Sequence, residues 1–208
     1  MSAGEDGERV GADTVDGLVG GPDEPTLASL TSAARSTAAV HADALAVLGR
    51  WRSGTPELES ARHALLAYLR ARPDACARAC APGHLTASTL LLDAAAEHAL
   101  LTLHPRFGRW VQLGGHIEPE DATLAGAALR EATEESGIEG IVLDPEPVHI
   151  DVHPVTCSLG VPTHHLDVRF VGRAPAGVVE VISDESLDLR WWPLADLPDD
   201  VAFGRTIR

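Results

Sequence analysis

The sequence predicts a mixed α/β domain preceded by a small helical segment. Three observations predict it: an alanine-rich region of helical periodicity before about residue 82, short runs of strand character after it, and one bounded helix set among those strands. Residues 1–26 stand outside both. They carry seven acidic residues, one arginine and few large apolar side chains. That is too little apolar surface to offset the entropy of ordering, so a disordered acidic tail is expected there.

The helical segment is expected over 27–82. Apolar residues recur at helical spacing through Leu27, Leu30, Ala34, Ala38, Ala42, Leu45 and Leu48, until Gly54 interrupts the pattern. Thr55-Pro56-Glu57 reads as a fresh start, with a hydroxyl N-cap, proline at the first helical position and an acid in the first turn. Leu58, Ala61, Leu65, Leu66 and Leu69 supply the stripe of this second helix, and Pro73 ends it. Cys76 and Cys80, four apart, suggest a third short helix that buries two small hydrophobes.

The α/β domain is expected over 83–208. Residues 85–93 and 98–104 read as two strands around a turn, and Gly114-Gly115 as a glycine turn. A helix over about 122–136 is stopped by Gly137. Residues 141–143, 148–155, 164–172 and 189–192 have strand character, with a helical turn at 194–197.

Composition narrows the function classes. Sixteen basic residues, all of them arginine, face 31 acidic ones for a net charge of −15. Such a chain lacks the basic footprint of a nucleic-acid binder; an acidic protein that handles phosphates does so through divalent cations. There is no apolar run long enough to span a bilayer, and the acidic start does not read as a secretory signal. Three cysteines form neither a disulfide framework nor a CxxC zinc pattern. A cytoplasmic location is expected.

The segment that carries chemistry runs from Gly114 to Ile138. On a helix, Glu131, Glu134 and Glu135 fall within a sector of about 100°, flanked by Leu124, Ala128 and Ala132 on the core side. Each like-charged pair at this spacing costs about 0.2–0.5 kcal/mol, and Arg130 alone cannot neutralise three carboxylates. A solvated acidic face is the plain explanation of such a run. One-sided acids against small alanines, directly after a diglycine, instead suit a hard Mg²⁺ or Mn²⁺ ion held by oxygen ligands, with a backbone carbonyl as a further ligand.

These residues resemble the Nudix box, G-x5-E-x7-R-E-U-x-E-E-x-G-U with U apolar. Gly115 is the opening glycine, and Arg130-Glu131-Ala132-Thr133-Glu134-Glu135-Ser136-Gly137-Ile138 matches the second half at every fixed position. The first half departs twice: Asp121 stands in place of Glu, and eight residues rather than seven separate it from Arg130. The extra residue is expected in the turn before the helix, with Asp121 capping the helix N-terminus. The resemblance covers about residues 84–208 and implies a Nudix-type α/β/α sandwich with a mixed sheet. It also implies hydrolysis of a diphosphate bond in a nucleoside diphosphate linked to another moiety. Glu131, Glu134, Glu135 and the Gly115 carbonyl would hold Mg²⁺ or Mn²⁺, and Arg130 would orient Glu131. The general base would be Glu131 or a downstream loop acid, Glu185 before Asp184, in Ser183-Asp-Glu-Ser186. The alternative is an inactive nucleotide-sensing or interaction module on the same fold. Many relatives dimerise, so a homodimer is a further expectation.

A second constellation lies at Asp151-Val-His153 and His164-His-Leu-Asp167-Val-Arg169. Strand alternation puts His165, Asp167 and Arg169 on one face. With His153 on a neighbouring strand they form either a transition-metal site or, as the preferred reading, a hydrogen-bonded sheet face that shapes the substrate pocket. Trp110 is a candidate to stack a base, with a half-buried core tryptophan as the preferred reading; His104, Arg106 and Arg109 either reach phosphates or, for the arginines, are only solvated.

Overall fold

A computed structural model describes Met1 and residues 27–106, 108–157 and 160–201, with side chains from residue 37 in the first helix. The expected acidic tail lies outside the described residues. The chain runs α1 (Leu27–Arg50), α2 (Pro56–Ala71), β1 (His84–Leu92), β2 (His98–His104), β3 (Arg109–Val111), β4 (Leu113–His116), α3 (Leu124–Ser136), β5 (Val142–Leu143), β6 (His149–Thr156), β7 (Pro162–Arg173) and β8 (Leu189–Pro193). This is the expected α/β fold: a mixed sheet with a helical segment before it.

Among the described side chains of α1, which leave out the expected Leu27, Leu30 and Ala34, Val40, Ala44, Val47 and Leu48 are buried, followed by Trp51, while Ala38 and Ala42 are exposed. The burying stripe is therefore rotated from the one expected, because valine and tryptophan bury more surface than alanine. The start of α2 is as expected, with Thr55 accepting from the Leu58 N–H at 3.3 Å and Pro56 in the first turn. Cys76 and Cys80 are buried, but Cys76 sits in a turn and Cys80 outside any regular element, so residues 72–83 form no helix.

Strand β1 is the centre of the sheet. It pairs with β7 in parallel from His84↔His165 to Leu92↔Arg173, and antiparallel with β2 at one end and β4 at the other. Strand β6 pairs antiparallel with β7, and β8 with β2. The diglycine is not a free turn. It lies within β4, Gly115 opposite Ala87, so the backbone beside α3 is fixed by a ladder.

Alternation along β1 divides its side chains. Leu85 and Ala87 join Leu166, Val168 and Phe170 of β7 in one core, which also contains Val40, Ala44 and Leu48 from α1, Trp51 just after it, Leu65, Leu66 and Leu69 from α2, and Leu124, Ala127 and Ala128 from α3. The N-terminal helices thus share the core of the sheet. Asp43 of α1 accepts a hydrogen bond from the Leu124 N–H at 2.9 Å, satisfying an orphan donor at the start of α3. The other face of β1 carries His84, Thr86 and Ser88, which are polar and buried. No helix among the described residues is long and apolar enough to cross a membrane.

Candidate active site

Helix α3 is held at both ends. Thr123 is its N-cap, accepting from Gly126 N–H at 3.0 Å, and Gly137 ends it with φ 65°, a left-handed conformation that glycine adopts without steric cost. Thr89 of β1 donates to the Ala128 carbonyl at 2.9 Å, tying the helix to the sheet. With Leu124, Ala127, Ala128 and Ala132 buried, Glu131, Glu134 and Glu135 are left along one edge of the helix.

Asp121 does not cap this helix as expected. Its carboxylate instead receives Arg130, from Nε at 3.1 Å and Nη2 at 3.0 Å, and also the Glu118 N–H at 2.8 Å. A shorter side chain at a shifted spacing thus still reaches the guanidinium. Arg130 also donates to the His116 carbonyl at 2.9 Å, Glu131 at 3.1 Å and Glu134 at 2.9 Å. One guanidinium thus links the loop before α3, the end of β4 and two of the helix acids, with the fork geometry that arginine provides.

Gly115 is where its lack of a side chain matters. A Cβ there would lie 2.6 Å from a Glu131 carboxylate oxygen, so only glycine lets that carboxylate rest against the strand. Beside it, the Gly114 N–H donates to Glu135 at 2.8 Å. Burial pushes Glu131 up to about 7 despite Arg130, and pushes Glu135 up to about 8 despite the Gly114 hydrogen bond. The charges of Glu134 and Glu185 act in the same direction on both. Glu185 is therefore within electrostatic reach of the helix acids. Its loop is anchored by Thr102 donating to Ser186 at 2.6 Å and by the Leu187 N–H donating to the Leu103 carbonyl at 3.0 Å. Carboxylates crowded in this way, all oxygen donors and two of them partly desolvated, fit a hard divalent cation, whose charge would return them to the ionised form.

The second constellation lies across the sheet from these acids. The register places His153 opposite His165, Asp151 opposite Asp167 and His149 opposite Arg169, with His84, Thr86 and Ser88 beside them on β1. Asp167 is buried and accepts from Thr86 at 3.1 Å, Ser88 at 2.7 Å and Gln112 at 3.4 Å, with Arg169 Nη2 at 3.5 Å. His153 turns to Asp151 at 2.8 Å, which raises its pKa. Asp167 therefore does not meet the imidazoles. His165 instead gathers with His84, His116 and Cys157, one ligand-type atom from each lying within 4.8 Å of the others. His84, His116 and Cys157 were not picked out from the sequence, because they come from separate segments that only the sheet brings together. Burial lowers the pKa of His84, His116 and His165, the last two to about 4 and about 3.

Trp110 is not open for base stacking. It is 9% exposed, its ring meets Trp192 edge-on at 5.2 Å and the Arg190 guanidinium lies 5.6 Å away, an apolar cluster with Leu90 and Leu101. His104 is half-buried, and Arg106 and Arg109 are exposed.

Fold and site together define a class: an α/β domain that presents a carboxylate-bearing helix, locked by arginine, against a glycine-containing strand. The NUDIX domain family model matches residues 82–207, and the chain belongs to the NUDIX family of hydrolases. Among solved structures it is similar to a NUDIX-family hydrolase from Clostridium perfringens, with 22% identity over 57% of this chain and 88% of that one, TM-score 0.44. It is also similar to a MutT NUDIX hydrolase from Burkholderia pseudomallei, with 21% identity over 58% and 91%, TM-score 0.45. A C. elegans Ap4A hydrolase in a binary complex is similar at 21% identity over 53% and 80%, TM-score 0.41. No curated protein matches the chain.

Proposed function

We propose that this chain hydrolyses the phosphoanhydride bond of a nucleoside diphosphate linked to a second moiety, with Mg²⁺ or Mn²⁺ held by Glu131, Glu134, Glu135 and the Gly115 carbonyl. The observation that carries the reading is the pair Glu131 and Glu135, packed against the Gly114-Gly115 backbone with their pKa values pushed up to about 7 and about 8. A partly buried carboxylate cluster that one guanidinium cannot neutralise opposes folding and is explained by a cation that it serves to hold. When bound, the ion neutralises phosphate oxygens and acidifies an attacking water.

The chain's own residues do the rest. Arg130 is a positioning residue, fixed by Asp121 and orienting Glu131. The proton of the attacking water passes to Glu131 or to Glu185, both within reach of the same negative field. The substrate is a small nucleotide, since a net charge of −15 disfavours long nucleic acid. The reaction takes place in the cytoplasm.

The test is a panel of diphosphate-containing nucleotides with Mg²⁺ or Mn²⁺, run beside Glu134→Gln. Metal-dependent release of nucleotide or phosphate, lowered about a hundredfold or more by the substitution, is expected. Nucleotide binding with no cleavage of any substrate would replace this reading with a sensing module.

A further inference from the structure

Four side chains outside the carboxylate site meet at the opposite face of the sheet. They are His84 at the start of β1, His116 at the end of β4, Cys157 just after β6 and His165 in β7, each offering one ligand atom within 4.8 Å of the rest. The Nε2 atoms of His84 and His165 are buried and have no hydrogen-bond partner. His84 itself is 1% exposed. An orphaned ring nitrogen in so dry a place needs a reason, and two in one cluster need the same one.

From this geometry we propose a second cation site, for a zinc-type divalent transition ion, ligated by His84, His116, Cys157 and His165. Three imidazoles and one thiolate make a closed tetrahedral set of the kind that zinc occupies structurally. Zinc–nitrogen bonds of about 2.0 Å and a zinc–sulfur bond of about 2.3 Å give tetrahedral edges of about 3.3–3.5 Å. The His116 Nε2 to Cys157 Sγ distance is already 3.5 Å, and no pair has to close by more than about 1.5 Å on binding.

The surroundings match a ligated histidine as well. The other ring nitrogen of His84 lies 3.4 Å from the Cys80 carbonyl, the backbone contact that fixes a ligating imidazole's orientation. The rings of His84, His116 and His165 stand 5.0–5.2 Å apart at angles of 37–88°, converging rather than stacking. His153, whose ring is 5.6 Å from His165, is held off by Asp151.

The ion would brace the catalytic side from behind. His116 follows Gly115 directly, and its carbonyl accepts the Arg130 guanidinium. An ion on its ring would tie β4 to β1, β7 and the segment after β6, and so fix the strand on which the carboxylates rest. This site is independent of the carboxylate helix and does not rest on the proposed hydrolysis.

Cobalt(II) titration of the full chain reads the site without any activity assay. The expected result is one tetrahedral cobalt per chain, with intense d–d bands and a thiolate charge-transfer band, displaced by zinc and unchanged in Glu134→Gln. Cys157→Ser should remove the charge-transfer band and weaken binding about tenfold or more. His84→Ala should weaken it similarly; if that variant does not fold, the wild-type spectrum decides. Octahedral cobalt alone in a folded wild-type chain, or binding lost in Glu134→Gln and kept in Cys157→Ser, would overturn the proposal.

Discussion

Gly115 and Asp121 show how single residues set the active edge of α3. Alanine at Gly115 would place a methyl 2.6 Å from the Glu131 carboxylate. A carboxylate at the end of a flexible chain can swing away, so Gly115→Ala should fold with a Tm within about 2 °C of wild type, yet lose at least about tenfold in kcat. Thermal melting beside steady-state kinetics checks this; unchanged kcat would show that the close approach has no catalytic use. Asp121→Ala removes the two hydrogen bonds that fix Arg130 and leaves the Glu118 N–H without its carboxylate. It should raise the Mg²⁺ concentration for half-maximal activity about tenfold or more, and Asp121→Glu should restore much of it. A merely structural Asp121 would lower Tm and leave the metal titration in place.

At the scale of the element, α3 depends on a side chain far away in sequence. Asp43 of α1 receives the Leu124 N–H, and Asp43→Ala should cost about 1 kcal/mol, a fall in Tm of about 2–4 °C for a chain of this size. Calorimetry on the two chains measures it, and an identical Tm would mean that Thr123 alone suffices. The sequence made α3 legible because its acidic spacing and Gly137 are local signals. It made the diglycine look like a turn, since two glycines carry no sign of the ladder to β1 that makes β4 a strand. Asp121 was misassigned for a similar reason: a cap is read from neighbours, whereas its reach to Arg130 depends on the path of the loop. The three-histidine and cysteine cluster has no spacing pattern at all; register between β1, β4 and β7 creates it. In α1 the rule of helical spacing was right but its phase was not, because alanines are frequent on every face of that helix.

For the whole molecule, the carboxylates make stability depend on pH and on cations. Glu131 and Glu135 have ordinary values of 4.5 and folded values of about 7 and about 8. Between these limits the folded chain holds more protons than the unfolded one, so their contribution to stability falls as pH rises from about 4.5 to about 8. In a chelating buffer, Glu135→Gln should therefore melt higher than wild type at pH 8, by about 3–6 °C, and the difference should shrink toward pH 5. Adding Mg²⁺ at pH 8 should raise the wild-type Tm and close the gap. Parallel melting curves at the two pH values test this; a gap that does not change with pH would assign the gain to packing.

The shared core of α1, α2 and the sheet has a practical consequence for anyone preparing this protein. The family match begins at residue 82, and a cloning boundary drawn there would look natural. It would also strip the cover from Leu85, Leu166, Val168 and Phe170, all at most 7% exposed, and remove Asp43 from the start of α3. The matched stretch shares its core with helices that lie outside it, so a product begun at residue 82 is expected in inclusion bodies.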